Sequence, residues 1–442
     1  MLEYRAYDQM LVAATHVCRY WRSTLISTPS LWTRFRRFES DHNLDRTLTY
    51  LERSKLAPID ISINTFSLKD LEVLEHLALH IARTRSLVIQ GSYRIHAASL
   101  LFCNPAPSLQ FLHISTNSSG GFVSLPDNFL SRQAPSLRTA SFTGIYPTFK
   151  SPFPLPDLTE FSLILFRARG SFRMDGLFRL FSGCPQLRKV QINVPSGTLK
   201  DLVLDKVIPL ESLVEFDYTC NLVNQVIPFL RLPRLKRLQV SSLQPGQVQN
   251  LADMLPYGGH GLLVEATNME YHSYESSFLL RLSGNGVDVS LSTSLTTADH
   301  ADARWFSDET RIPFSQIEKL NIRGCSLVDF PVNLFAFENL RVLQITPLHT
   351  QVTEGFLRPL HPDPGLGIPC RSLEEVKYAH WEPPEPILRQ LISLVRERKW
   401  AGHQLRLVKL MATKGSDQGL LEDLRKLVGV QCSSVPVWRW DE

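Results

Sequence analysis

One short frame, apolar-x-x-apolar-x-apolar, recurs ten times along the 442 residues of this chain. It runs through Leu109/Leu112/Ile114, Leu137/Ala140/Phe142, Leu158/Phe161/Leu163, Leu187/Val190/Ile192, Leu213/Phe216/Tyr218 and Leu235/Leu238/Val240. It returns at Ile317/Leu320/Ile322, Leu340/Leu343/Ile345, Leu373/Val376/Tyr378 and Leu405/Val408/Leu410. Self-similarity of this kind marks an array in which each unit buries its apolar face against its neighbours. The steps between copies are irregular, 21 to 29 residues in the first run and 23 to 33 in the second, which predicts a solenoid with outer segments of variable length. Roughly 150 residues per domain would otherwise divide a chain of this size into about three globules.

The residues before each frame explain how it is used. Pro-Ser-Leu stands at 107–109 and 135–137, Pro-Asp-Leu at 156–158, Pro-Gln-Leu at 185–187 and Pro-Arg-Leu at 233–235. Proline fixes φ and donates no hydrogen bond, so it suits a loop just before a strand and would weaken the strand itself. The last two apolar residues of each frame are two apart and share one sheet face, while the residue between them points the other way. Three copies continue into Asn117, into Asn221 and Val223, and into Cys325 and Leu327, which matches the leucine-rich repeat pattern. In that pattern a buried polar side chain can satisfy backbone groups where the chain leaves the strand.

Between strands, apolar residues at helical spacing predict helices over Asp70–Ala82, around Leu177–Phe181 before Gly183, around Leu388–Val395 and around Leu420–Val428. Ser151–Pro156, His361–Pro369 and Glu382–Pro386 read as rigid turns. From Ser242 to Arg311 the pattern weakens. Leu262–Glu265 and Val287–Leu291 could add two strands, with Gly284, Gly286 and the polar stretch from Ser292 breaking the pattern.

Composition narrows the functional classes. Forty-seven Lys and Arg against 43 Asp and Glu leave a net charge of +4, too small an excess over this length for a dedicated nucleic-acid binder. The longest apolar stretches fall far below a membrane span of roughly 20 residues, and Glu3, Arg5, Asp8 and His16 interrupt any secretory leader. Seven scattered cysteines suit a reducing compartment, so the expected location is cytoplasmic and/or nuclear.

The N-terminal segment carries the most specific residues. Leu11, Ala14, Val17, Cys18 and Trp21 fall on one helical face, and a second turn ends at Pro29-Ser30-Leu31-Trp32. A piece this short cannot bury two Trp alone and must pack on something. Val17-Cys18-Arg19-Tyr20-Trp21-Arg22 followed by Pro29-Ser30-Leu31-Trp32 resembles the C-terminal half of an F-box of the kind found in fungal F-box proteins. The repeats, and the run Leu180-Phe181-Ser182-Gly183-Cys184-Pro185-Gln186-Leu187, resemble the leucine-rich-repeat substrate domains of the same proteins.

The resemblance implies a partial F-box over residues 1–35 and a degenerate leucine-rich-repeat-like solenoid over 36–442, irregular around 242–311. It also implies a substrate receptor in which the F-box docks a Skp-family adaptor of a cullin–RING ubiquitin ligase while the repeats hold an unidentified protein substrate. Leu11, Val17, Cys18, Trp21, Leu31 and Trp32 match positions of the F-box fold or of its adaptor surface, and the sequence does not divide them between the two. Family F-boxes open with a Leu-Pro-x-Glu first helix. Only Met1–Met10 precedes the match here, so the first helix is expected to be absent or truncated, which would weaken adaptor docking. The alternative is a non-catalytic repeat scaffold that no longer binds the adaptor.

No catalytic constellation accompanies these features. The chain has no P-loop, no Gly-x-Ser-x-Gly, no His-Glu-x-x-His and no Cys-x-x-Cys. Gly258-Gly259-His260-Gly261 reads as a turn, Cys18, Cys184 and Cys325 as buried small hydrophobes, and His76 with His80 as a solvated helix face. The basic clusters Arg34/Arg36/Arg37 and Arg396/Arg398/Lys399 read as solvated faces, and Trp438 with Trp440 as a cap on the last repeat. No enzyme, cofactor, metal, nucleic acid or membrane partner is therefore expected. The candidate recognition residues are the outward ones beside the apolar pairs: Glu160, Lys189, Glu215, Arg237, Lys319 and Glu375.

Overall fold

The computed structural model describes residues 10–37, 44–65, 70–91, 102–116, 123–125, 129–146, 155–166, 174–194, 207–220, 223–242, 254–257, 263, 265–274, 277–294, 312–325, 327, 330, 332–347, 357–379, 385–411 and 417–432. The chain forms two compact units, Met1–Leu213 and Val214–Glu442. Both are α/β, with mostly parallel strands and few helices.

In the first unit, β1 (Arg34–Arg37), β2 (Ile59–Thr65), β3 (Thr84–Gly91), β4 (Phe111–Thr116), β5 (Thr139–Thr143), β6 (Glu160–Ile164) and β7 (Lys189–Val194) pair in chain order, all parallel. Helices α1 (Arg19–Ile26), α2 (Leu44–Ser54), α3 (Asp70–Ala78) and α4 (Met174–Ser182) precede or connect them. In the second unit, β8 (Glu215–Cys220) and β9 (Arg237–Ser242) are parallel. The strands β13 (Lys319–Arg323), β14 (Val342–Thr346), β15 (Glu375–Ala379), β16 (Leu407–Met411) and β17 (Gly429–Cys432) also pair in parallel, with α5 (Glu385–Trp400) and α6 (Gln418–Leu427) between the last three.

Every one of the ten frames ends in a strand, and its three apolar positions are at most 4% exposed. The local cause is a single turn. In nine frames the N–H of the first apolar residue donates to the carbonyl three residues back, at 2.9 to 3.4 Å. Pro107, Pro135, Pro156, Pro185 and Pro233 each hold the second position of this turn, where φ near −65° is required and no donor is needed. The following residue then shares its carbonyl between two N–H groups of the next copy. Gln110 O accepts from Arg138 and Thr139 at 2.8 and 3.1 Å, and Arg138 O from Thr159 and Glu160 at 2.8 and 3.0 Å. Val214, Glu318, Arg341 and Glu374 do the same in the second unit. Each strand therefore starts level with its neighbour, so inward residues stack on inward residues. Phe102, Phe129, Phe142, Phe161 and Phe181 form one continuous column with ring centroids 5.1 to 6.1 Å apart.

The weak stretch after Ser242 holds an insertion. The strands β10 (Asn268–Tyr274), β11 (Ser277–Gly284) and β12 (Val287–Ser294) form an antiparallel meander, with β12 parallel to β9 and β10 parallel to β13. The spatial order across it is thus β9, β12, β11, β10, β13. Val287–Leu291 is a strand as expected, but Leu262–Glu265 is not. Leu263 is helical and Glu265 lies in a turn ahead of β10, and Leu262 and Val264 fall outside the described residues. Gly284 and Gly286 do not break the pattern but turn it. Asn285 and Gly286 have φ of 46° and 84° and close the β11–β12 hairpin between Gly284 and Val287. Two successive left-handed residues match the right-handed twist of paired strands, which is why Asn-Gly is a strong hairpin signal.

The helices expected from apolar spacing form. One expectation within them fails: Arg398, placed on a solvated face, is fully buried in α5. Its guanidinium donates to the carbonyls of Pro369 (2.9 Å) and Cys370 (2.8 Å), closing a loop whose Cys370 has φ of 46°. Burial holds its pKa below the usual value for arginine. Among the other expectations, Asn117, Asn221, Gly258–Gly261, Trp438 and Trp440 lie outside the described residues, as do Ser151–Pro154 and Glu382–Pro384 of the proline-rich turns.

The alternation in β6 makes a direct test. Phe161→Ala removes a link from the aromatic column and is expected to cost about 3 to 5 kcal/mol, whereas Glu160→Ala one residue earlier should stay within ~0.5 kcal/mol, both read by urea denaturation. Arg398→Met should cost about 2 to 4 kcal/mol, because it leaves buried carbonyls without donors.

Candidate functional site

Two surfaces carry the residues singled out from the sequence. The first is the N-terminal segment. Helical residues 10–15 stop before His16, and α1 begins only at Arg19, with Cys18 as its N-cap and the Cys18 Sγ accepting from Trp21 N at 3.5 Å. The single face expected for Leu11, Ala14, Val17, Cys18 and Trp21 is therefore broken in two. Thr28 bonds back to Thr24 O at 2.7 Å, and Pro29, which cannot continue a helix, starts the short turn that ends at Trp32.

Trp32 is the fastener of this segment. It is 1% exposed, its indole N–H donates to Leu25 O at 2.8 Å, its ring meets Tyr50 of α2 at 5.0 Å, and the Arg53 guanidinium sits 4.4 Å above it. Leu11 is buried and Leu31 half-buried. Val17, Cys18 and Trp21 face solvent, as does Tyr20, which is 77% exposed against 52% for Trp21. The six positions thus divide into Leu11, Leu31 and Trp32 turned inward and Val17, Cys18 and Trp21 turned outward. Cys18 is not the buried hydrophobe expected of it, and Cys103 and Cys432 are exposed too. Cys184 and Cys370 are buried, and burial pushes both thiols up to about 12, which removes them as nucleophiles at neutral pH. Cys325 is half-buried. Among the described residues, no three His, Cys, Asp or Glu side chains gather to hold a metal ion, and no helix is long and apolar enough to cross a membrane.

The second surface is the outward face of the strands. Glu160, Lys189, Glu215, Arg237, Lys319 and Glu375 are each the first residue of their strand, and the register aligns them. Glu160 stands opposite Lys189 in the first unit. In the second, one row runs through Glu215, Arg237, Asp288, Ser283, Asn268, Lys319, Val342 and Glu375.

Of these residues, Glu215, Arg237 and Glu375 have ion pairs along the face. Arg237 lies 3.8 Å from both Glu215 and Asp288, Arg281 lies 3.2 Å from Asp288, and Glu375 takes Lys409 at 2.7 Å and Lys377 at 3.8 Å. One residue earlier, Glu374 sits between Arg341 and Arg406 at 3.0 and 3.3 Å. The row is thus a ladder of cross-strand charges, and the level strand starts create it. Sequence reasoning found its members without Asp288, Arg281 and Lys409: Asp288 meets Arg237 and Lys409 meets Glu375 across strands distant in the chain, and Arg281 meets Asp288 across the β11–β12 hairpin.

His272, on β10, shares this face and is buried. Burial and the charge of Arg323 hold its pKa below the ordinary imidazole value, against the opposing pull of Glu270. Burial also lowers His113, and with Arg83 and His76 it lowers His80, which lies past the end of α3 rather than on a helix face with His76.

The chain matches no protein-family model and no curated protein.

Because these three imidazoles have folded pKa values below the unfolded one, the unfolded chain binds more protons as pH falls through about 6.5. Their contribution to stability is present above that value and lost below it. Urea unfolding should give a lower free energy at pH 5.5 than at pH 7.5, and His272→Gln should shrink the difference.

Proposed function

We propose that the chain is an F-box-type substrate receptor without catalysis of its own. In this reading the N-terminal segment docks a Skp-family adaptor of a cullin–RING ubiquitin ligase, in the cytoplasm and/or nucleus. The strands form a leucine-rich-repeat-like solenoid whose outward face holds the protein to be ubiquitinated.

The observation that carries the proposal is the division at the N-terminus. Trp32 and Leu11 anchor the segment from beneath, and Val17, Tyr20 and Trp21 are left in water on or beside a helix of only eight residues. Large aromatic side chains held outward by a buried fastener are the composition of a protein-binding hot spot. The repeated turn and inward apolar triplet support the repeat reading, since the triplet recurs at all ten frames and the turn at nine. The charged ladder supports recognition over an extended surface, because the pairs around Arg237 and Arg281 are solvent-exposed contacts worth about 0.2 to 1 kcal/mol each. A partner can replace such contacts at little cost.

Co-purification with a Skp-family adaptor tests the reading. Trp21→Ala should weaken capture at least about tenfold and leave the unfolding midpoint unchanged. Trp32→Ala should instead destabilise the first unit by about 3 to 5 kcal/mol. A folded protein that captures no adaptor would remove the receptor reading and leave a repeat scaffold.

A further inference from the structure

Helices α1 and α2 flank an open cleft of about 860 Å³, inside the first unit. Arg19, Arg22, Ser23 and Ile26 line it from one stripe of α1, and Thr49, Glu52, Arg53 and the following Lys55 from one stripe of α2. Four cations face one carboxylate there, so the lining carries a net charge of +3 in a chain whose total is +4.

Many cations of the strand faces and helices are held by carboxylates, and those of the cleft are not. Arg85 is held bidentately by Asp60, and Arg237, Arg281, Arg341, Arg389, Lys409 and Lys426 each have a carboxylate within 4 Å. Among the described residues, Arg19, Arg22, Arg53 and Lys55 have none. Two of the four are nevertheless fixed in place: Arg22 Nε donates to Thr15 O at 2.8 Å, and Arg53 is stacked on the buried Trp32 ring. Guanidinium groups held this way have little freedom left to lose on binding, and their planar forks match the oxygens of a phosphate better than an ammonium does. The cleft is larger than one phosphate group, and Ile26 with the arginine stems adds apolar lining beside the charge.

We propose that this cleft is a binding site for a phosphate-bearing anion, with Arg19, Arg22, Arg53 and Lys55 as its cationic contacts. The phosphate is carried either by a free di- or polyphosphate compound or by a phosphorylated side chain of a bound protein. The site is independent of the adaptor reading, since it rests on residues around the cleft and not on the outward face of Trp21.

Calorimetric titration of the full chain with pyrophosphate, and separately with a phosphoserine peptide and its unphosphorylated form, tests it. Saturable binding of either phosphorylated probe is expected, together with weakening by about tenfold or more in Arg19→Glu. Pyrophosphate binding alone identifies a free compound, and preferential binding of the phosphopeptide identifies a modified protein. Protection of the Lys55 amine from acetylation by the bound probe, read by mass spectrometry on the unaltered protein, gives the same answer without a variant. Failure of both probes to bind, or binding that neither protects Lys55 nor responds to Arg19→Glu, would overturn the proposal.

Discussion

The interaction on which the structure depends is a carbonyl shared by two amides where each strand begins. A parallel ladder has no hairpin to set its register, so each strand must be aligned by something at its start. Here Gln110, Arg138, Thr159 and their counterparts in the second unit accept two consecutive N–H groups from the next copy. The preceding turn delivers an apolar residue to the same depth each time. A slip of one residue would expose every Phe and Leu of a strand and bury its charges, so the turn and the shared carbonyl together fix which face becomes core. The column of phenylalanines and the row of charges are the two outcomes of that alignment, one on each face.

This is why the fold could be read so far from the sequence. The frame encodes local events, a turn followed by three residues of alternation, and it recurs, so chance matches are outvoted. The strand β3 escaped because its frame is imperfect. Thr84 stands where an apolar residue is usual, and it is buried all the same, with Leu87 and Ile89 following in register. The meander β10–β12 escaped for a different reason. Its strands alternate but carry no proline turn, and the Asn285-Gly286 signal that joins two of them belongs to hairpins rather than to repeats. Arg398 could not be read from composition at all, because what buries it is a loop some 30 residues away in the chain.

The candidate surfaces were legible in part. Alternation identified which residues face outward, but not which of them meet. Arg237 touches Asp288 because an inserted strand returns beside β9, a fact of topology that no local pattern carries. At the N-terminus the residue types were informative and their directions were not. Trp21 and Trp32 look equivalent in a sequence, and only the break at Val17 and Cys18 and the turn at Pro29 send one to solvent and the other beneath α2. Between these helices, the unpaired arginines are conspicuous only against the paired ones of the strand faces.

The meander also has a consequence of parity. Three antiparallel strands, laid down in reverse spatial order, begin and end on edges of the same polarity, so β13 follows as though it had been placed directly beside β9. The row that passes from Arg237 through Asp288, Ser283 and Asn268 reaches Lys319 without a change of level. An array of this kind can take in or give up an antiparallel meander only with an odd number of strands at such a point. Two would turn the remainder of the sheet against its own direction, and every later turn would deliver its leucine to the wrong end of its strand.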